Sequence, residues 1–210
     1  GQQTNSDTQA TCTTSRQSEV VVHGASDGLP RLISALGGKW TTSRPVAERV
    51  VDLVIEKDLT AATKAVQAST ATTPTHCGDT GIFFDFVKRA IAASPGWDEE
   101  IIEHLTKLYG SRYAEVTKLA AETDMRARLT PDEPTIEAEV FYAIRQEMAV
   151  TLADVLFRRT ELGTIGAPSQ TAINRMADLM AAELGWTGAE TSRQIQEALK
   201  KYNVEDEATS

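Results

Sequence analysis

Leu32-Ile33-Ser34-Ala35-Leu36-Gly37-Gly38-Lys39-Trp40-Thr41-Thr42-Ser43-Arg44-Pro45-Val46 is the stretch that decides the fold. A short apolar run, Leu32 to Leu36, ends in a glycine pair, and beyond it the hydrophobic period changes. Val46, Val50 and Val54 fall at i, i+4 and i+8, with Ala47, Val51 and Ile55 beside them, which predicts an amphipathic helix of about four turns. Thr42 or Ser43 can cap it, Pro45 suits its first turn, and Glu48, Arg49 and Asp52 supply its polar face. Upstream, Glu19 to His23 (EVVVH) is short and β-branched and predicts a strand, with Gly24, Asp27, Gly28 and Pro30 forming the turn that follows. The two short runs read as strands at the edge of a sheet whose remainder lies elsewhere. Two glycines after a strand let the backbone approach a flat ligand closely. A helix starting soon after them offers free N–H groups and a positive dipole end to a ligand bearing negative charge. Lys39 adds a full positive charge at the same place. The competing reading is an ordinary strand-to-helix turn with a solvated Lys39.

The rest of the chain separates by composition and period. Residues 1–14 are polar and rich in Gln, Thr and Ser, and read as loop or disorder. Ala68 to Gly81 is Thr-rich, with Pro74, Gly78 and Gly81, and reads as a linker. Everything after it is helical in pattern. Asp85 to Ala93, Asp98 to Tyr109 and Tyr113 to Glu122 predict helices punctuated by Ser94-Pro95-Gly96 and Gly110. Ile136 to Thr160 is one long apolar-faced stretch. Pro168 is expected in the first turn of a helix ended by Gly185, and Gly188 to Tyr202 predicts the last helix before an acidic tail, 205–210.

The chain has 210 residues, 41% hydrophobic and 24% charged, with a formal net charge of -9. That is an ordinary globular composition, and its acidity argues against nucleic-acid binding, which needs clustered Lys and Arg. Cys12 and Cys77 form no CxxC pair or metal cluster, and two scattered thiols fit a reducing compartment. No apolar run approaches the roughly 18–20 residues of a spanning helix. His23, His76 and His104 have no metal spacing. Glu137, Glu139 and Glu147 lack the paired ExxH of a carboxylate metal site, so no metal is expected. Arg145, Arg158, Arg159 and Asp154 are expected in ion pairs, and Trp97, Trp186, Phe83 and Phe84 in packing. No GxGxxG follows a strand, so the chain offers no pyrophosphate turn for a dinucleotide.

Several blocks, in order, resemble one family. Gly37 to Arg44, followed by Ala47-Glu48, is similar to the GGK-[LW]-TTYR…AE segment of the flavin-dependent glycerol-3-phosphate dehydrogenases. Ser15-Arg16 and Asp27-Gly28-Leu29-Pro30 also fit. Glu137-Ala138-Glu139-Val140 through Arg145, Glu147-Met148-Ala149, Thr151 to Leu156 and Arg158-Arg159-Thr160 are similar to that family's helical C-terminal domain, as are His104-Leu105, Tyr109-Gly110, Leu179-Met180 and Glu183 to Trp186. Ser43 stands where the family commonly has Tyr, and Gln146 where His is common.

The resemblance implies an α+β architecture, mainly α. Residues 1–67 would be the last strands and helix of an FAD-binding α/β domain, 68–81 a linker and 82–204 an all-α C-terminal domain. With Gly1 at its start, the chain reads as a piece of a longer protein. The implied reaction is oxidation of sn-glycerol 3-phosphate to dihydroxyacetone phosphate by FAD, with electrons passed to a quinone. Arg16 matches a phosphate-contacting arginine, and a guanidinium suits phosphate by its two-pronged donation. Lys39 matches a lysine at the junction of flavin and substrate, where it would be catalytic and substrate-binding. Gly37, Gly38, Lys39, Trp40 and Thr41 would bind the cofactor. The general base and the rest of the pocket would lie on the missing N-terminal FAD domain. The implied location is cytoplasmic, with peripheral contact at the inner face of a membrane, and a homodimer is compatible with it. The rivals are a glycerol-3-phosphate oxidase, with oxygen as acceptor, and a non-catalytic helical module that binds a partner protein.

Overall fold

The structure, a computed structural model, describes residues 18–24, 28–57 and 66–202. The chain divides into two compact units, Gly1–Pro74 and Thr75–Ser210.

In the first unit, β1 (Glu19–Val22) and β2 (Ile33–Leu36) pair antiparallel, with Glu19 opposite Leu36 and Val22 opposite Ile33. His23 extends the pairing by donating its N–H to Leu32 O at 3.0 Å. The helix expected after the glycine pair is α1 (Ser43–Lys57), entered through a single 3-10 turn, Trp40–Thr42. Arg44 pairs along α1 with Glu48 and donates to Thr70 Oγ1 at 3.1 Å. Val46, Val50, Leu53 and Ile55 are only half-buried, and no described residue of this unit is buried.

The second unit is helical: α2 (Phe83–Ala92), α3 (Glu99–Tyr109), a 3-10 turn (Gly110–Arg112), α4 (Tyr113–Thr123), α5 (Glu137–Glu147), α6 (Leu152–Asp154) continuing as a π-turn (Val155–Arg159), α7 (Gln170–Leu184) and α8 (Gly188–Lys200). Helix α5 is central, with every residue from Glu137 to Ala143 buried. Its Ala138 and Tyr142 pack with Ile101, Leu105, Tyr109, Val116 and Ala120 from α3 and α4. Its Val140, Phe141 and Ala143 pack with Leu152, Leu156, Ile173, Met176 and Met180. The caps follow the sequence closely. Asp98, Ser169 and Thr187 side chains accept the N–H groups of Glu100, Ala172 and Glu190, and Gly185 ends α7 at φ 70°.

Three expectations are corrected. Residues 136–160 are not continuous helix: Met148 turns left-handed at φ 59°, and Thr151 and Asp154 restart the helix with a reciprocal cap. Pro168 lies before the Ser169 cap instead of in the first turn, where its missing N–H costs nothing. Phe84 is not a packing residue. It is 68% exposed because α2 buries only Ala90, and the ring carries Lys88 Nζ 4.2 Å from its centre. Trp97 and Trp186 do pack against the two cores.

Candidate functional site

The turn between β2 and α1 carries the residues singled out from the sequence. Gly37 and Gly38 both have positive φ, 68° and 95°. At Gly38 a side chain would be strained by that conformation and would meet Ser18 Cβ at 3.4 Å. Lys39, extended at φ -115° and ψ 156°, opens the 3-10 turn. Thr42 closes it: its N–H and its hydroxyl both donate to Lys39 O at 2.9 Å, and its Oγ1 accepts the Lys39 N–H at 3.2 Å. Ser43 Oγ donates to Trp40 O at 2.8 Å. Thr42 and Ser43, the two residues at the start of α1, therefore both use their hydroxyls on this turn. In a helical first turn the leading N–H groups, here those of Trp40 and Thr41, have no partner within the helix.

Gly37, Gly38, Lys39 and Trp40 line one concavity of about 610 Å³, together with Ala35, Thr42, Val46, Val50 and Val51. Thr41 is not among its lining residues. Lys39 is exposed, and Trp40 is 94% exposed. Arg16 lies outside the described residues.

The second unit holds a buried polar centre that the sequence reading missed. Glu139, fully buried, accepts from Ile136 N at 2.8 Å and from Tyr109 Oη at 3.1 Å, and its Oε2 lies 3.0 Å from His104 Nε2. Burial, then the Glu139 charge, push the Tyr109 hydroxyl far above its ordinary range. Tyr142 donates to Glu115 at 3.0 Å, and burial with that bond pushes its hydroxyl up to about 12. Glu137, beside it, takes both prongs of Arg175. Each carboxylate is satisfied by protein groups, and no three His, Cys, Asp or Glu among the described residues group as metal ligands. The expected arginine ion pairs form: Arg145 with Glu183, Arg158 with Asp154, and Arg159 with Glu147 at 3.6 Å, its guanidinium also donating to Glu147 O. The one forward signal for Glu139 was its place three residues after Ile136, where a carboxylate reaches back to the first free N–H of a helix.

Comparison with known proteins gives matches of three kinds. Residues 61–191 match the C-terminal domain of alpha-glycerophosphate oxidase. The probable mitochondrial glycerol-3-phosphate dehydrogenase of Dictyostelium discoideum is 32% identical over 166 residues, covering 79% of this chain and 25% of that protein. The mitochondrial glycerol-3-phosphate dehydrogenase of Mus musculus is 32% identical over 181 residues, covering 80% and 23%. The chain thus spans about a quarter of the length of these relatives. A crystal structure of the glycerol-3-phosphate dehydrogenase from Bacillus halodurans complexed with FAD superposes with a TM-score of 0.65 at 27% identity, covering 81% of this chain and 35% of that one. With more than half of its residues in the matched segment, the chain belongs to the family of the C-terminal domain of alpha-glycerophosphate oxidase.

Proposed function

We propose that this chain is the C-terminal part of an FAD-dependent glycerol-3-phosphate dehydrogenase, in which the turn at Gly37–Thr41 meets the flavin edge and the helical unit is a supporting domain. The observation that carries the reading is the open concavity at that turn, with two left-handed glycines and an exposed lysine at its wall. Glycine backbone free of side chains suits close approach of a flat ring, and the free N–H groups of Trp40 and Thr41 suit its carbonyl edge. FAD, when bound, would take two electrons and a proton equivalent from C2 of glycerol 3-phosphate. Lys39 would hold a substrate oxygen and offset the negative charge that builds up on the ring. Arg16 would hold the phosphate. Residues 1–67 are then the end of the FAD domain, 68–81 the linker and 82–204 the helical domain. Quinone is the electron acceptor in this reading, and contact with the membrane is peripheral. An oxidase is the second reading, favoured by the name of the matched domain. Peroxide release in air by the full-length protein, in place of quinone reduction, would select it.

The test is Lys39→Ala in the full-length protein. Turnover should fall at least about tenfold, the cautious value for one electrostatic contact in a closed site. Near-normal turnover at saturating substrate removes Lys39 from the site.

A further inference from the structure

We propose that Thr42 is a positioning residue for Lys39. The inference rests on the flavin-edge reading of the turn and adds the part that fixes its lysine. Three contacts converge on the backbone of one residue: Thr42 N and Thr42 Oγ1 each hold Lys39 O at 2.9 Å, and Lys39 N is held by Thr42 Oγ1 at 3.2 Å. One hydroxyl thus both donates to and accepts from the residue three places before it. This matters because the neighbouring backbone cannot hold Lys39 by itself. Gly37 and Gly38 precede it, and glycine leaves φ and ψ free. No described residue of the unit is buried, so packing does not fix the turn either. The same tie sorts the donors on the concavity wall. The Lys39 N–H is occupied by Thr42, which leaves the N–H group of Trp40, a lining residue, for a ligand. Thr42 itself lines the concavity, and its Oγ1 would lie 3.6 Å from a Cβ built on Gly38, so the hydroxyl also backs the glycine pair.

Thr42 acts through Lys39, so its effect must vanish when Lys39 is gone. In the full-length protein loaded with FAD, Thr42→Val should lower turnover about tenfold, the scale of loss when a reacting group is slightly misplaced. It should also move the flavin reduction potential more negative, in the direction of Lys39→Ala, with FAD content unchanged. Thr42→Ser, which keeps the hydroxyl, should restore both readouts. The double variant Lys39→Ala, Thr42→Val should match Lys39→Ala alone. In this chain without cofactor, Thr42→Val should speed exchange of the Lys39 amide. Additive losses in the double variant, or an unchanged potential and an unchanged Lys39 amide in Thr42→Val, overturn the proposal while the flavin-edge reading stands. Normal turnover and potential in Lys39→Ala overturn both.

Discussion

The two units divide burial and openness between them. Every buried residue among those described belongs to the second unit, where α5 is enclosed on both faces. The first unit has a defined turn and an open concavity, yet its apolar groups stay in solvent: Leu36 is 51% exposed, Val51 55%, Val66 88% and Trp40 94%. Apolar burial stabilises a fold at about 25 cal/mol per Å², so the second unit contains the means of its own stability and the first does not. The lesson is that a site and a core need not come from the same piece of chain. The helical unit is legible as a fold, while the glycine turn is legible as a local feature that no described core encloses.

Removing a support of the buried centre should give the largest effect. Glu139→Ala deletes the acceptor for Tyr109 Oη and Ile136 N and the partner of His104. Buried donors left unpaired cost about 1–3 kcal/mol each, so a loss of about 3–5 kcal/mol is expected, read as a lower denaturant midpoint by helical circular dichroism. A loss below about 1 kcal/mol would mean that water enters the centre freely. Gly110→Ala should come next. Gly110 has φ 53° and ψ -133°, and a Cβ there would meet the Cys77 carbonyl, which accepts the Ser111 N–H at 3.1 Å. Strain plus overlap predicts a loss of about 2–4 kcal/mol. An unchanged midpoint would show that residues 76–79 are not fixed to the 110–112 turn.

How much of this was legible depended on how local each signal is. The strand pair, the helix after the glycines and the stop at Gly185 are each written within a few residues, and period and punctuation suffice for them, whereas Pro168 drew the start of its helix one cap too early. The break at Met148 was missed because its left-handed residue is not glycine, although the Thr151-x-x-Asp154 box just after it was a readable restart. Glu139 was weighed only as a metal ligand. Its partners His104 and Tyr109 lie 35 and 30 positions away, a distance no periodicity spans. At the turn, Gly37, Gly38 and Lys39 stand out by residue type, whereas the role of the Thr42 hydroxyl depends on a backbone path that spacing does not reveal.

The first unit offers a contrasting test with a smaller effect. Trp40→Ala or Val54→Ser in this chain should change the midpoint by no more than about 0.5 kcal/mol, since neither side chain is enclosed. The same chain, mixed with FAD and passed through a desalting column, should emerge colourless and inactive. A few solvent-open hydrogen bonds, about 0.5–1.5 kcal/mol each, fall short of the about 4–15 kcal/mol needed to immobilise a cofactor. Retained flavin, or a large drop in midpoint from Trp40→Ala, would break the contrast between the units.

The smallest effect should come from a charge that sits poorly inside the stable unit. Glu147 Oε2 is buried and has no hydrogen-bond partner among the described residues. Arg159 Nε stands 3.6 Å from it, too far for a hydrogen bond, because the guanidinium donates to the Glu147 carbonyl oxygen instead, at 3.1 and 2.8 Å. Burial raises this carboxyl above its ordinary range, Arg159 opposes the shift, and the Glu139 charge adds to it. A raised carboxyl binds its proton more tightly in the folded chain than in the unfolded one. Its contribution to stability is therefore most unfavourable above the raised value and improves as pH falls toward the ordinary carboxylate range. Glu147→Gln removes the buried charge, so it should stabilise the chain at neutral pH, by no more than about 1 kcal/mol, the ordinary scale of a single substitution. That gain should shrink as the pH is lowered. Glu183 provides the opposite sign: the Arg145 bond holds its carboxyl low, so Glu183→Gln should cost stability at neutral pH and cost less in acid. Thermal midpoints of both variants between neutral and mildly acidic pH decide it. A Glu147→Gln gain that does not change with pH would assign the effect to packing at the end of α5 and not to the charge.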